Sequence, residues 1–311
     1  MSAVSRSAPA KINLVLSVGP PAPADSTHPG WHAIASWMVA IDLCDEVVAT
    51  PLPEGSSSTL DIAFAPDAPR PEPIGWRRDQ DLAWRALRAL EGHVGRALPT
   101  RLEIAKRIPT GAGLGGGSSD CAATLMAVSR AHGLGLDAPT LARLSRPLGS
   151  DVAFFIDEHP ADCGAPRPAL VGGFGDHIER LGACRAELVL IVPPFFCATP
   201  DVYRAFDRLS PGPLREHEVR RLIGAGALDP EALFNDLEAA ACGVAPELAR
   251  LLAHARSVSG FPVHVTGSGS AMFILTPPER AYALARRLTD DPLLGRCAIL
   301  ATHTTPTQSA P

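Results

Sequence analysis

Ala10 to Val18 alternates apolar and polar side chains, the period of a strand with one buried face. The same alternation predicts strands over Trp37–Ile41 and Asp45–Thr50, separated by an Asp42-Leu-Cys-Asp45 turn, and over Arg101–Ile108. Gly19–Gly30 and residues 51–78 are rich in Pro, Gly and Ser and read as loop, the second interrupted by one short strand, Thr59–Phe64. Helical spacing appears over Asp81–His93, with Asp79 or Asp81 as the cap, from Ser118 or Ser119 to His132, and over 138–146. Beyond a Pro/Gly-rich stretch, His159–Gly175, come strands at Glu187–Val192, Val263–Val265, Ala271–Leu275 and Cys297–Ala301. Helices are predicted near 201–208, 215–224, 236–241, 246–258 and 281–288, with a disordered tail from Thr304. The irregular order of strands and helices predicts two α+β domains, residues 1–160 and 161–311, rather than a doubly wound parallel sheet.

One segment breaks every period. Lys106-Arg-Ile-Pro-Thr-Gly-Ala-Gly-Leu-Gly-Gly-Gly-Ser-Ser-Asp120 places five glycines in seven residues, directly ahead of an apolar helix. Glycines admit positive φ and let a ligand touch backbone, and the helix aims its free N–H groups at whatever the loop encloses. A polyphosphate is the natural occupant. The spacing Gly111-x-Gly113-x-x-Gly116 also fits the dinucleotide fingerprint, but it follows an amphipathic strand where that fold needs a buried parallel one. A Walker A loop requires a lysine after the glycines, and none is present. A flexible linker would not lead straight into a well-formed helix.

Composition narrows the partners. A net charge of -5 over 311 residues argues against nucleic acid and for a small molecule. The seven cysteines form no C-x-x-C pair, which favours reduced thiols in a cytoplasmic protein. No apolar leader and no run of eighteen apolar residues predicts a membrane span. The chain holds only two lysines, Lys11 and Lys106, against 26 arginines. A lysine that persists in so arginine-rich a chain marks a place where a compact ammonium is needed.

Pro109-x-x-x-Gly-Leu-Gly-Gly-Gly-Ser-Ser119 resembles the ATP loop of the GHMP kinases, the family of galactokinase, homoserine kinase, mevalonate kinase and phosphomevalonate kinase. The likeness extends over Pro9-Ala-Lys-Ile-Asn13, Gly30-Trp-His32, Gly149-Ser-Asp151, Thr199-x-x-x-Tyr203, Asn235-Asp-Leu-Glu238 and Gly267-Ser-Gly-Ser-Ala271. It implies an N-terminal domain like ribosomal protein S5, a ferredoxin-like C-terminal domain, and an active site in the cleft between them. It also implies ATP as phosphoryl donor, with Mg2+ expected through Ser119 and the phosphates, although no acidic metal ligand is evident. Asp151 is then the catalytic base and Lys11 its cationic neighbour. A carboxylate is too weak to ionise a free alcohol in advance, so it orients the hydroxyl and accepts the proton during transfer. Pro109, Thr110, Gly111, Ala112, Gly113, Leu114, Gly115, Gly116, Gly117, Ser118 and Ser119, with Lys106 and Asp81, would bind ATP.

The same resemblance implies an acceptor bearing cytidine, phosphorylated on the 2-hydroxyl of its methylerythritol in non-mevalonate isoprenoid synthesis. Trp31 and Tyr203 would sandwich the base, His32 would hydrogen-bond it, and Asn13 would reach the substrate. The family usually has tyrosine at Trp31, after an Arg-x-Asp pattern absent from Thr27-His-Pro-Gly-Trp31, and often asparagine at Asp81. Two alternatives stay open: another GHMP kinase acting on homoserine, a sugar or a mevalonate derivative, and an inactive metabolite-binding member. The chain is expected to act as a monomer or homodimer.

Overall fold

Two long antiparallel strands carry the N-terminal half of the computed structural model, which describes residues 2–160 and 164–305. β1 (Val4–Pro21) pairs along one edge of β2 (His32–Pro51), whose other edge receives β4 (Thr100–Lys106) and β5 (Ala169–Gly172). β3 (Thr59–Phe64) adds parallel to β4, and β6 (His177–Arg180) adds to β5. The second sheet has the order β10-β7-β9-β8, from β7 (Glu187–Val192), β8 (His264–Val265), β9 (Met272–Thr276) and β10 (Ala298–His303). The helices are α1 (Leu82–Val94), α2 (Gly116–Ala131), α3 (Ala138–Ser145), α4 (Thr199–Arg208), α5 (Glu216–Gly224), α6 (Glu238–Val244), α7 (Pro246–Ser259) and α8 (Ala281–Thr289).

Period-two alternation divides each sheet between two cores. On β2, Met38 and Ala40 face α1 and α2, whereas Trp37, Val39 and Ile41 face the second sheet. On β7, Val189 and Ile191 pack under α4, α6, α7 and α8, while Leu188, Leu190 and Val192 meet the first sheet. The two halves therefore share one apolar layer, and the expected α+β architecture in two domains is observed.

Three local expectations fail. The Asp42-Leu-Cys-Asp45 turn is no turn: β2 runs through it, and the register steps from Pro9 opposite Cys44 to Ala10 opposite Ile41. Asp42 and Leu43 form a bulge, which keeps the strand going while turning Asp45 inward. The boundary expected at residue 160 cuts through the first sheet, because β5 and β6 extend it to Arg180. The tail expected from Thr304 begins in place: Thr304 donates through its hydroxyl to Cys184 O at 2.5 Å, and Thr305 N to Ala40 O at 3.0 Å. Residues 306–311 lie outside the described residues.

Candidate active site

A cleft of about 970 Å³ opens between the two halves, with the loop Pro109–Ser118 along one wall. The loop needs its glycines for space as well as conformation. Gly115 sits at φ 72° as the residue before α2, and a Cβ there would lie 2.9 Å from Lys11 Cγ. Gly113, at φ 83°, lies so close to a second glycine turn, Thr266–Ser270, that a Cβ would be 2.7 Å from Thr266 O. Ala271 N donates to Ala112 O at 3.1 Å, so two loops from distant parts of the chain lock backbone to backbone. α2 starts earlier than expected, inside the glycine run, and has no side-chain cap. Its free N–H groups are left for a ligand. Ser118 lines the cleft, whereas the Ser119 hydroxyl is buried without a hydrogen-bond partner among the described residues. Thr110 is committed elsewhere, its N–H and hydroxyl both donating to Glu72.

Lys11 and Lys106 flank this loop, each only 4% exposed, in contrasting surroundings. Lys106 Nζ lies 2.5 Å from Asp45 Oδ2 and 2.6 Å from Asp120 Oδ2. Burial alone would lower its pKa, but the two carboxylates outweigh that and raise it. Burial, with Asp45 alongside, pushes Asp120 up to about 7 against the pull of Lys106. Asp45 also accepts from Arg107 N and Ile108 N at 2.5 and 2.8 Å. Lys106 thus anchors the base of the loop and lines the cleft with its charge already neutralised within the protein.

Lys11 Nζ donates to Asn13 Oδ1 at 2.8 Å and stands 3.5 Å from Asp151 Oδ2. Asn13, two residues along the same strand face, passes its amide to Ser36 Oγ at 2.7 Å. Its carboxamide therefore holds Lys11 in line, and Asn13 itself lines the cleft. Asp81 caps α1 by accepting from Ala83 N and Trp84 N, and its other oxygen accepts from Trp76 Nε1 at 2.9 Å. Both oxygens are engaged, and Asp81 still lines the cleft with acceptor capacity left on Oδ2.

Trp31, His32 and Tyr203 gather at the far end. Trp31 is 54% exposed and meets Phe174 edge-on, ring centroids 6.0 Å apart. The Tyr203 ring lies 5.0 Å from that of His32. Burial, and secondarily the charge of Asp151, pushes the Tyr203 phenol up to about 12. Trp31, His32 and Tyr203 all line the cleft.

Asp151 precedes a 3-10 turn, Val152–Phe155, and the β5–β6 hairpin braces it on both sides. Gly175, at φ 95°, presses on Ser150, where a Cβ would come within 2.8 Å of the backbone oxygen. Arg180 Nη2 donates to Phe154 O and Ile156 O, each at 2.7 Å. Burial lowers Arg180 to about 10, with the charge of Asp157 opposing. Burial would raise Asp157, but hydrogen bonds from Arg167 and the charge of Arg180 hold it well below the carboxylate range.

The GHMP kinases N terminal domain matches residues 81–165. The 4-diphosphocytidyl-2-C-methyl-D-erythritol kinase of Polaromonas sp. strain JS666 is 31% identical over 304 residues, 95% of this chain and 91% of that one. The chain belongs to the GHMP kinases. A crystal structure of 4-(cytidine 5'-diphospho)-2C-methyl-D-erythritol kinase superposes with a TM-score of 0.73 at 31% identity, covering 97% of this chain and all of that one. Homoserine kinase from Cytophaga hutchinsonii, at 16% identity, shares the fold with a TM-score of 0.68 and covers 99% and 96% of the two chains. This GHMP kinase is an ATP-dependent small-molecule phosphotransferase, and among the described residues no helix is long and apolar enough to cross a membrane.

Sequence reasoning overlooked Trp76, Phe174 and Asp207 in the cleft of this GHMP kinase. Phe174 carried a signal, an aromatic between glycines in Gly172-Gly-Phe-Gly-Asp176, but the stretch read as a linker. Trp76 and Asp207 carried none.

Proposed function

We propose that the chain transfers the γ-phosphoryl of ATP to the 2-hydroxyl of 4-diphosphocytidyl-2-C-methyl-D-erythritol. The observation that carries the reading is the order along one cleft: glycine loop, then Lys11 with Asp151 at 3.5 Å, then Trp31, His32 and Tyr203. Loop N–H groups hold the donor phosphates. Asp151 orients the acceptor hydroxyl and takes its proton as the oxygen–phosphorus bond forms and the bond to the ADP oxygen breaks. Lys11, held by Asn13, offsets negative charge on the moving phosphoryl. The aromatic end suits a flat base, which homoserine and mevalonate lack.

Magnesium fits this site only as a passenger on the phosphates. Among the described residues no group of three or more His, Cys, Asp or Glu could hold a metal, and Asp120 is drawn to Lys106. Ser118 on the cleft, with the unpaired Ser119 hydroxyl behind it, is the oxygen set nearest the loop. When bound, the ion neutralises phosphate charge.

The test is ATP turnover with 4-diphosphocytidyl-2-C-methyl-D-erythritol beside homoserine and mevalonate, for wild type and Asp151→Asn. Turnover of the cytidine compound alone, cut about 1,000-fold in the variant, is expected. Turnover of another alcohol instead would remove the acceptor, and an undiminished variant would remove Asp151 from its role.

A further inference from the structure

His32 and Asp207 form an arrangement that the phosphoryl-transfer chemistry does not use. His32 Nδ1 lies 2.8 Å from Gly19 O, and a carbonyl only accepts, so Nδ1 carries the hydrogen. In the neutral ring Nε2 is then a lone pair, and it faces Asp207 Oδ1 at 3.3 Å. In that neutral form two acceptors stand side by side with no hydrogen between them. The His32 side chain is 5% exposed and that of Asp207 40%, so a donor can reach the pair only from the cleft, past Asp207. Tyr203, one turn before Asp207 on α4, lays its ring against His32 and sets the plane in which a flat ligand would approach. Arg204, also on the cleft, pairs with Asp201 and leaves Asp207 unneutralised by it.

One atom bearing two hydrogens can satisfy both acceptors at once. An exocyclic amine on a pyrimidine has them, one for Nε2 and one for the carboxylate. A carbonyl at the same ring position would be a third acceptor and would be repelled. We infer that Asp207, acting with His32, is a specificity-determining residue that admits an amine-bearing base such as cytosine and rejects its carbonyl counterpart, uracil. The inference rests on the proposed acceptor and names how its base is read. Hydrogen-bonding sites that are fully enclosed reject the wrong group by ~10⁴; with Asp207 partly solvated, a preference of about 100-fold is expected.

Equilibrium binding decides it, with a non-hydrolysable ATP analogue present and two probes, 4-diphosphocytidyl-2-C-methyl-D-erythritol and the same compound built on uridine. Wild type should favour the cytidine probe about 100-fold. Asp207→Asn, whose amide can turn its N–H toward a carbonyl, should narrow the ratio at least about tenfold, chiefly by gained uridine affinity. ATP-analogue affinity should stay the same in both proteins, which reports an intact fold. Equal binding of the two probes by wild type, or an unchanged ratio in Asp207→Asn, overturns the inference even while the cytidine compound is phosphorylated. A closed imidazolium–carboxylate pair would give that second result. If wild type binds neither probe yet phosphorylates another alcohol, the acceptor falls and this reading of its base falls with it.

Discussion

Lys11 and Lys106 are equally buried, end in the same ammonium and stand on either side of one loop, yet they face opposite electrostatic situations. Lys106 sits between two carboxylates at 2.5 and 2.6 Å and has no charge left to offer. Lys11 has a neutral amide at 2.8 Å and its carboxylate no nearer than 3.5 Å. Part of its field therefore extends into the cleft. Burial and residue type do not separate a catalytic cation from a structural one. The number and distance of the opposing charges do.

The sharpest way to break this contrast is to replace each lysine by methionine. Lys11→Met should lower kcat by about 100- to 1,000-fold, as loss of a preorganised charge at a transferring phosphoryl does. Its urea midpoint should change little, since the Asp151 side chain is 28% exposed and water can solvate it. Lys106→Met should do the reverse. Leaving Asp45 and Asp120 buried without their cation should cost about 3–5 kcal/mol of stability in urea titrations. Turnover per folded molecule should fall far less than in Lys11→Met. Equal kinetic losses in the two variants would erase the distinction.

A smaller effect probes the brace behind Asp151. Asp157 is held below its ordinary value of 3.8, so the folded state binds fewer protons there than the unfolded chain. Its contribution is complete above that value and is lost as pH falls below it. Thermal unfolding between pH 5 and pH 3 should show wild type losing about 1.5 °C more than Asp157→Asn, equivalent to ~1 kcal/mol in a chain of this size. Parallel curves for the two proteins would mean that the Arg167–Asp157–Arg180 cluster adds nothing.

What the sequence made legible was local or long. Asp81 with Leu82, Leu87 and Leu90 declares a capped helix within a few residues, and α1 forms there. The glycine run was readable because its chemistry lies in consecutive residues. What escaped depends on partners far along the chain. The bulge at Asp42 exists only opposite β1, and the neutralisation of Lys106 needs Asp45, which that bulge turns inward. β5 and β6 are four residues each, too short to show a period, and gain their identity by pairing, β5 with β2 and β6 with β5. Asn13 was placed on the correct face of its strand, but its bonds to Ser36 and Thr266 escaped, because those residues approach from elsewhere.

The interlock between the glycine loop and the turn Thr266–Ser270 bears on how the enzyme comes into being. A chain leaving the ribosome has its glycine motif in hand by Asp120, and its first sheet can close once Arg180 is out. The surface against which Gly113 and Ala112 rest is not made until Ala271. Catalytic competence is therefore acquired only after Ala271 has emerged. A product truncated before that residue would carry the complete nucleotide signature in its sequence and have nothing to shape it.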